Sequence, residues 1–258
     1  MKVLILAGGY GTRLSEETGV RPKPMVEIGE MPILWHIMKH YSSHGFNEFV
    51  ILCGYKGNYI KKYFSDYFLN QSSMTFDMTN NSMEIISSNV EPWKVTCLET
   101  GDGTLTGGRI KKAQELIGNE PFLLTYGDGV SDVDVTATVE SHKKSGRLCT
   151  MTAVKPGGRF GVLEFDDKTD QLVDFIEKPD GEAGWINAGF FVCQPEVMNY
   201  LNEGDKTIFE RTPLQTLTRE NQVNCYKHRG FWKCMDTLAD KQTLVDIWNS
   251  GEAKWKTW

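Results

Sequence analysis

Val3 to Ala7 (VLILA) is an unbroken apolar run that ends on Gly8 and Gly9. A strand with one wet face alternates apolar and polar residues, so a run without alternation is buried on both faces. Two more such runs follow, FVILC from Phe49 and FLLTY from Phe122, and each is closed by a glycine. Between them lie helical spacings: PILWHIMKHY, with Pro32 suited to a first helical position, and NYIKKYFSDYF from Asn58. This alternation predicts an α/β fold, a Rossmann-like, mixed and mostly parallel sheet flanked by helices. MTFDM, MEIIS and KVTCLET add short β-elements, read here as an antiparallel addition. A helix, VTATVESHKK, follows Asp134. Beyond it LCTMTAV, FGVLEF, LVDFIEKP and WINAGFFVCQ predict strands with little helix, a mixed sheet continuing the first. FWKCMDTLADKQTLVDIW closes the chain as a strand end and an amphipathic helix. Residues 1–258 read as one domain, with a first half to about residue 130 and a second half from about 131.

Composition excludes several classes. Hydrophobic residues are 40% and charged residues 24%, as in an ordinary globular protein. A net charge of −6 offers no basic stripe to a phosphate backbone, so no nucleic-acid partner is expected. The opening apolar run is too short for a signal peptide, and no run reaches membrane-spanning length. The chain reads as cytoplasmic, with no membrane partner. Its six cysteines are dispersed without a C-x-x-C pair, which predicts reduced, mostly buried thiols.

The loop after the first run is G-G-Y-G-T-R-L. It is not a dinucleotide fingerprint, because Leu14 stands where the third glycine belongs, and it is not a Walker loop. It could be a tight turn alone, since glycine permits positive φ. Gly8, Gly9 and Gly11 also leave bare N–H groups that can form a concave anion site. Arg13 adds a permanent charge, and Lys23 follows ten residues on in R-P-K-P-M, between prolines that favour an extended, stiff backbone. A lysine so held looks placed for a ligand, and its removal is expected to spare stability.

L-A-G-G-x-G-T-R-L followed by K-P resembles the signature of the sugar-nucleotide pyrophosphorylases, nucleotidyltransferases that join a nucleoside triphosphate to a sugar 1-phosphate. The resemblance runs over essentially the whole chain. EETGVRPKPMVEIG, VEPWKVTCLETG, TGGR, FLLTYGDGV, GRFGVLEF, INAGFFV and GFWKCMDTL are similar to the branch that uses CTP and glucose 1-phosphate. Uridylyl and thymidylyl relatives carry a glutamine-proline loop where this chain has ETGDGTLTGGRIKKA, which offers Thr104 and Arg109 instead. An arginine can donate to O2 and N3 of cytosine, whereas the N3–H of uracil would oppose it. A uridylyl or thymidylyl enzyme, or a regulatory module that has lost catalysis, are the rival readings. The second should lack Lys23, Asp128 or Asp236, and all three are present.

The resemblance implies direct attack of the sugar phosphate on the α-phosphorus, with catalysis by positioning and charge neutralisation. Leu6, Ala7, Gly8, Gly9, Gly11, Thr12 and Arg13 would hold the triphosphate, Lys23 the reacting phosphates, and Thr104 and Arg109 the base. Mg2+ would sit on Asp128 and Asp236. Read without the resemblance, Asp128 in G-D-G could equally be turn chemistry, and Asp236 in M-D-T a helix N-cap. Tyr126, Glu177, Lys178, Asn187, Gly189 and Trp232 would form the sugar-phosphate side. A homo-oligomer is implied, as is a product that supplies deoxysugars to surface polysaccharide such as lipopolysaccharide O-antigen. His36, His40 and His44 recur every fourth residue and read as a surface or subunit contact, and KWKTW at the C-terminus as a docking tail.

Overall fold

The computed structural model describes the backbone of residues 1–156, 162–165, 172–176 and 184–258, and the side chains of residues 1–156 and 184–258. From the N-terminus the elements are β1 (Val3–Leu6), α1 (Ser15–Thr18), β2 (Glu27–Ile28), β3 (Met31–Pro32), α2 (Ile33–Ser43), β4 (Glu48–Cys53), α3 (Gly57–Asn70), β5 (Ser72–Asp77), β6 (Ser82–Ser88) and β7 (Lys94–Glu99). Then come α4 (Thr106–Lys112), α5 (Gln114–Ile117), β8 (Phe122–Tyr126), β9 (Gly129–Ser131), α6 (Val135–Ser145), β10 (Cys149–Val154), β11 (Val162–Phe165) and β12 (Leu172–Ile176). The chain ends with β13 (Ile186–Cys193), α7 (Thr212–Arg219), β14 (Val223–Lys227), β15 (Trp232–Cys234) and α8 (Leu238–Asn249).

One seven-stranded sheet carries the order β14-β10-β13-β8-β1-β4-β7. β1 lies parallel to both β4 and β8, and β13 is antiparallel to its neighbours β8 and β10. The apolar runs are unbroken for the predicted reason. Val3 and Ile5 of β1 join one core cluster with α2, while Leu4 joins the cluster on the other face with Ile110 of α4. β4 repeats this, with Phe49 and Ile51 on the first face and Val50 and Leu52 on the second.

Several local expectations shift. β5 and β6 form the antiparallel addition, but β7 pairs parallel with β4 and so belongs to the main sheet. Pro32 sits at the N-cap of α2 (φ −62°, ψ 149°) rather than inside it, because it also closes the β2–β3 ribbon. α7, β9 and β14 were not anticipated, and β15 pairs with β9 just beyond β8. That last pairing carries residues 232–236 to the end of β8, where the site lies. All six cysteines are free.

Candidate active site

The loop after β1 uses its glycines for three different reasons. A Cβ on Gly8 would lie 2.1 Å from Arg109 Nη1, so Gly8 is bare because a guanidinium packs on it. Gly11 has φ +62°, the left-handed conformation that side chains resist. Nothing lies within 4 Å of a Cβ on Gly9, which needs no such allowance from the chain and opens on a cavity of about 330 Å³. Leu6, Ala7, Gly8, Gly9, Gly11, Thr12, Arg13, Lys23, Thr104, Arg109, Tyr126 and Asp128 all line this cavity. Pro24, Leu105, Thr106 and Gly127 line it too and escaped the sequence reading.

A second cavity of about 190 Å³ shares Arg13, Tyr126 and Asp128 with the first and adds Asn187, Phe190, Trp232, Cys234 and Asp236. Trp232 is fixed by donating from Nε1 to the Ala188 carbonyl at 2.8 Å. Gly189 lies behind this wall rather than in it. Its φ is +81°, and a Cβ there would press to 2.4 Å from the Tyr126 ring. Glu177 and Lys178 lie outside the described residues.

From the first cavity Lys23 Nζ donates to Asp128 Oδ2, on the wall common to both cavities, at 2.7 Å and to Asp236 Oδ1, in the second, at 2.8 Å. Arg13 Nη1 reaches Asp236 Oδ2 at 2.9 Å from a side chain that is 71% exposed, so it can swing. Lys23 is nearly buried in a 3-10 turn, Lys23–Met25, not in the extended segment its prolines suggested. Burial alone would lower the Lys23 pKa, but the Asp128 and Asp236 carboxylates outweigh it and hold the ammonium above its usual range. Burial would likewise raise Asp236, and Lys23 with Arg13 overcomes it, so this carboxyl titrates below its usual range. Asp236 is not the helix cap. Thr237 is, in a capping box with Asp240, which leaves the Asp236 carboxylate to the site.

Arg109 is more deeply committed than the sequence suggested. Its guanidinium donates to the carbonyls of Cys53 (3.1 Å), Gly8 (2.9 Å) and Asp102 (3.2 Å) and to the Thr100 hydroxyl. Thr104 Oγ1 donates to the Thr100 carbonyl at 2.6 Å and accepts from Lys112 Nζ at 3.1 Å. Both residues therefore brace the cavity wall. The glycines of T-G-G-R have a packing reason that spacing alone could not show. A Cβ on Gly107 would lie 2.5 Å from Thr207, and one on Gly108 would lie 2.9 Å from the Gly204 carbonyl.

A glycine loop under a cavity of about 330 Å³, a nearly buried lysine between two aspartates, and a second cavity sharing Arg13, Tyr126 and Asp128 are the parts of a group-transfer site for phosphates. The model of a family described as nucleotidyl transferase matches residues 2–240. The chain belongs to the nucleotidyl transferase family. This nucleotidyl transferase is 53% identical over 259 residues to the glucose-1-phosphate cytidylyltransferase of Salmonella typhimurium, with all of both chains covered. It is 31% identical to the mannose-1-phosphate guanyltransferase of Saccharomyces cerevisiae, over 95% of this chain and 63% of that one. Its fold matches the crystal structure of a UDP-glucose pyrophosphorylase complexed with UDP-glucose at a TM-score of 0.68, with 18% identity, covering 97% of this chain and 98% of the other.

Proposed function

We propose that the protein transfers the cytidylyl group of CTP to glucose 1-phosphate, giving CDP-glucose and pyrophosphate. A phosphate oxygen of the sugar attacks the α-phosphorus, and the bond from that phosphorus to the bridging oxygen of the β-phosphate breaks. The nucleophile is already an anion, so the enzyme supplies alignment and positive charge rather than a base. The observation that carries this reading is the Lys23 ammonium on the wall of the first cavity, bonded to Asp128, which lines both cavities, and to Asp236, which lines the second and also pairs with Arg13. Gly9 and Arg13 bind the triphosphate, and Lys23 neutralises the phosphates at the reacting centre. Asn187 and Trp232 shape the sugar pocket, and Glu177 and Lys178 complete it by family resemblance.

Magnesium fits the donor set. Two carboxylate oxygens meet one ammonium at 2.7 and 2.8 Å, so they converge on a common point. Among the described residues no cluster of three or more metal-binding side chains occurs. Two carboxylates with the remaining positions left to water and phosphate is the habit of Mg2+. Asp128 and Asp236 would hold it, and it would offset the charge that gathers on the leaving pyrophosphate.

The nucleotide assignment rests on the contrast between relatives: the cytidylyl enzyme matches at 53% over the full length, the guanylyl enzyme at 31%. Residues to about 130 form the nucleotide half and the rest the sugar half, within one domain. We place the reaction in the cytoplasm, in a homo-oligomer, supplying deoxysugar synthesis. Among the described residues no helix is long and apolar enough to cross a membrane. The test is pyrophosphate release with glucose 1-phosphate, magnesium and each of CTP, UTP, dTTP, ATP and GTP. CTP should be used best, and turnover of UTP or dTTP at an equal rate would overturn the base assignment.

A further inference from the structure

Both cavities are walled by side chains whose hydroxyls end on one carboxylate. Tyr126 Oη donates to Glu210 Oε1 at 2.6 Å, and Thr106 Oγ1 donates to Glu210 Oε2 at 2.7 Å. Tyr126 lines both cavities, and Thr106 lines the nucleotide cavity. A carboxylate beside a site for two polyanions is electrostatically costly, so its presence there calls for a task. Glu210 is separated from its partners by 84 and 104 residues, and no motif marks it.

We infer that Glu210 is a positioning residue for the proposed reaction, fixing the wall between the cavities through Tyr126 and the mouth of the nucleotide cavity through Thr106. A phenol has one proton to give. With that proton on Glu210, the Tyr126 oxygen can only accept, and Asn187 Nδ2 stands 3.3 Å away. Asn187 Oδ1 in turn accepts from the Gly189 N–H at 2.8 Å, which fixes the amide orientation and leaves one amide N–H for the sugar cavity. Burial first and Glu210 second push the Tyr126 phenol well above its usual range, so this direction of donation persists.

The Thr106 arm works on α4. Thr106 Oγ1 also accepts from the Phe209 N–H at 2.9 Å, while the Leu105 and Gly107 amides donate to the carbonyls of Asp205 and Thr207 at 2.8 and 2.9 Å. The first N–H groups of a helix lack partners within it, and here the 205–209 segment supplies some of them. Glu210 anchors the C-terminal end of that segment, and Lys112 of α4 pairs with Asp205 Oδ1 at 2.7 Å at its start. One carboxylate thus ties the Thr104–Thr106 edge of the nucleotide cavity to the sugar-side network.

The inference rests on the proposed reaction, so turnover and equilibrium binding are measured together. Glu210→Ala and Glu210→Gln are assayed for kcat and KM with CTP and glucose 1-phosphate, and calorimetry gives the affinity of each ligand alone. Glu210→Ala leaves two hydroxyls without their acceptor. Both KM values should rise about tenfold, with kcat within about threefold of wild type. Glutamine can still accept from Tyr126 and can donate to Thr106, so it should restore both KM values to within about threefold of wild type. Tyr126→Phe should add less in the Glu210→Ala background than alone. Unchanged KM values in Glu210→Ala, or a glutamine variant as impaired as the alanine one, would overturn the positioning role. A wild-type protein that binds CTP but turns over no nucleotide would sink the reaction instead, and the calorimetric affinities would still read the effect of Glu210.

Discussion

Lys23 is nearly buried and charged, and its only direct compensation among the described residues is a pair of aspartates. Removing one partner from such a cluster leaves like charges facing each other. Lys23→Ala should lower kcat by roughly two orders of magnitude, the loss typical of one preorganised electrostatic donor. It should also lower the melting temperature, contrary to the expectation from sequence, and magnesium should recover part of the loss by taking the place of the ammonium. Calorimetric melting with and without magnesium checks this, and a variant as stable as wild type in chelator would contradict it. The glycines separate just as sharply. Gly9→Ala meets no atom within 4 Å and its φ is not positive, so it should melt like wild type while the KM for CTP rises. Gly8→Ala would press on Arg109, so it should lose stability as well as CTP affinity. Equal melting temperatures in the two variants would argue against the packing of the guanidinium on Gly8.

The start of α8 decides what Asp236 is free to do. Thr237 Oγ1 accepts from the Asp240 N–H at 3.2 Å, and Asp240 Oδ2 accepts from the Thr237 N–H at 3.1 Å. Asp236→Asn therefore leaves the cap intact. It should abolish most turnover, because a neutral amide is a poor magnesium ligand, and it should lower the melting temperature only through the weakened pairing with Lys23 and Arg13, not through the cap. Thr237→Val removes the box and should cost about 1 kcal/mol of stability, measurable by denaturant unfolding. Normal activity in Asp236→Asn at saturating magnesium would remove it from the metal site. Sequence alone leaves capping open to Asp236 as well as Thr237, since both are favoured N-cap residues. What distinguishes them is Asp240, three residues beyond Thr237, the spacing of a reciprocal box. The legible elements were those whose own pattern is complete: the apolar runs of β1, β4 and β8 and the helical spacing of α2 and α3. β9, with three residues, and β14, whose pairing is with β10, are set by distant partners and leave little local signal. Glu210 is illegible for the same reason, as its role exists only once β8, α4 and the 205–209 segment meet.

Across the whole molecule the C-terminal segment closes the face of the sheet that α2 covers and docks on His36 and His40, while the third residue of the stripe, His44, meets Thr136 at 3.3 Å. His36 and His40 are buried inside the chain, not presented to a partner. Trp255, fully buried, donates its indole N–H to His36 Nδ1 at 3.4 Å, and His36 Nε2 meets the Ile28 carbonyl at 2.9 Å. An indole N–H only donates, so Nδ1 must be unprotonated and the ring neutral. His40 Nδ1 meets Thr257 Oγ1 at 3.2 Å, and its buried Nε2 has no partner among the described residues. Burial lowers both pKa values to about 4, against 6.5 for a free imidazole. The unfolded chain then binds protons that the native chain refuses. Stability should be level above about pH 7 and fall as pH drops through 6.5 toward 4, by on the order of 2 kcal/mol per histidine at pH 5. Because both rings hold the C-terminal segment, acid should expose Trp255 and Trp258 before the sheet melts. Tryptophan fluorescence and melting temperature followed from pH 8 to 5 check this. His40→Gln, which cannot take up the proton, should remove about half of the acid limb and leave the share of His36, and a variant as acid-labile as wild type would place the sensitivity elsewhere.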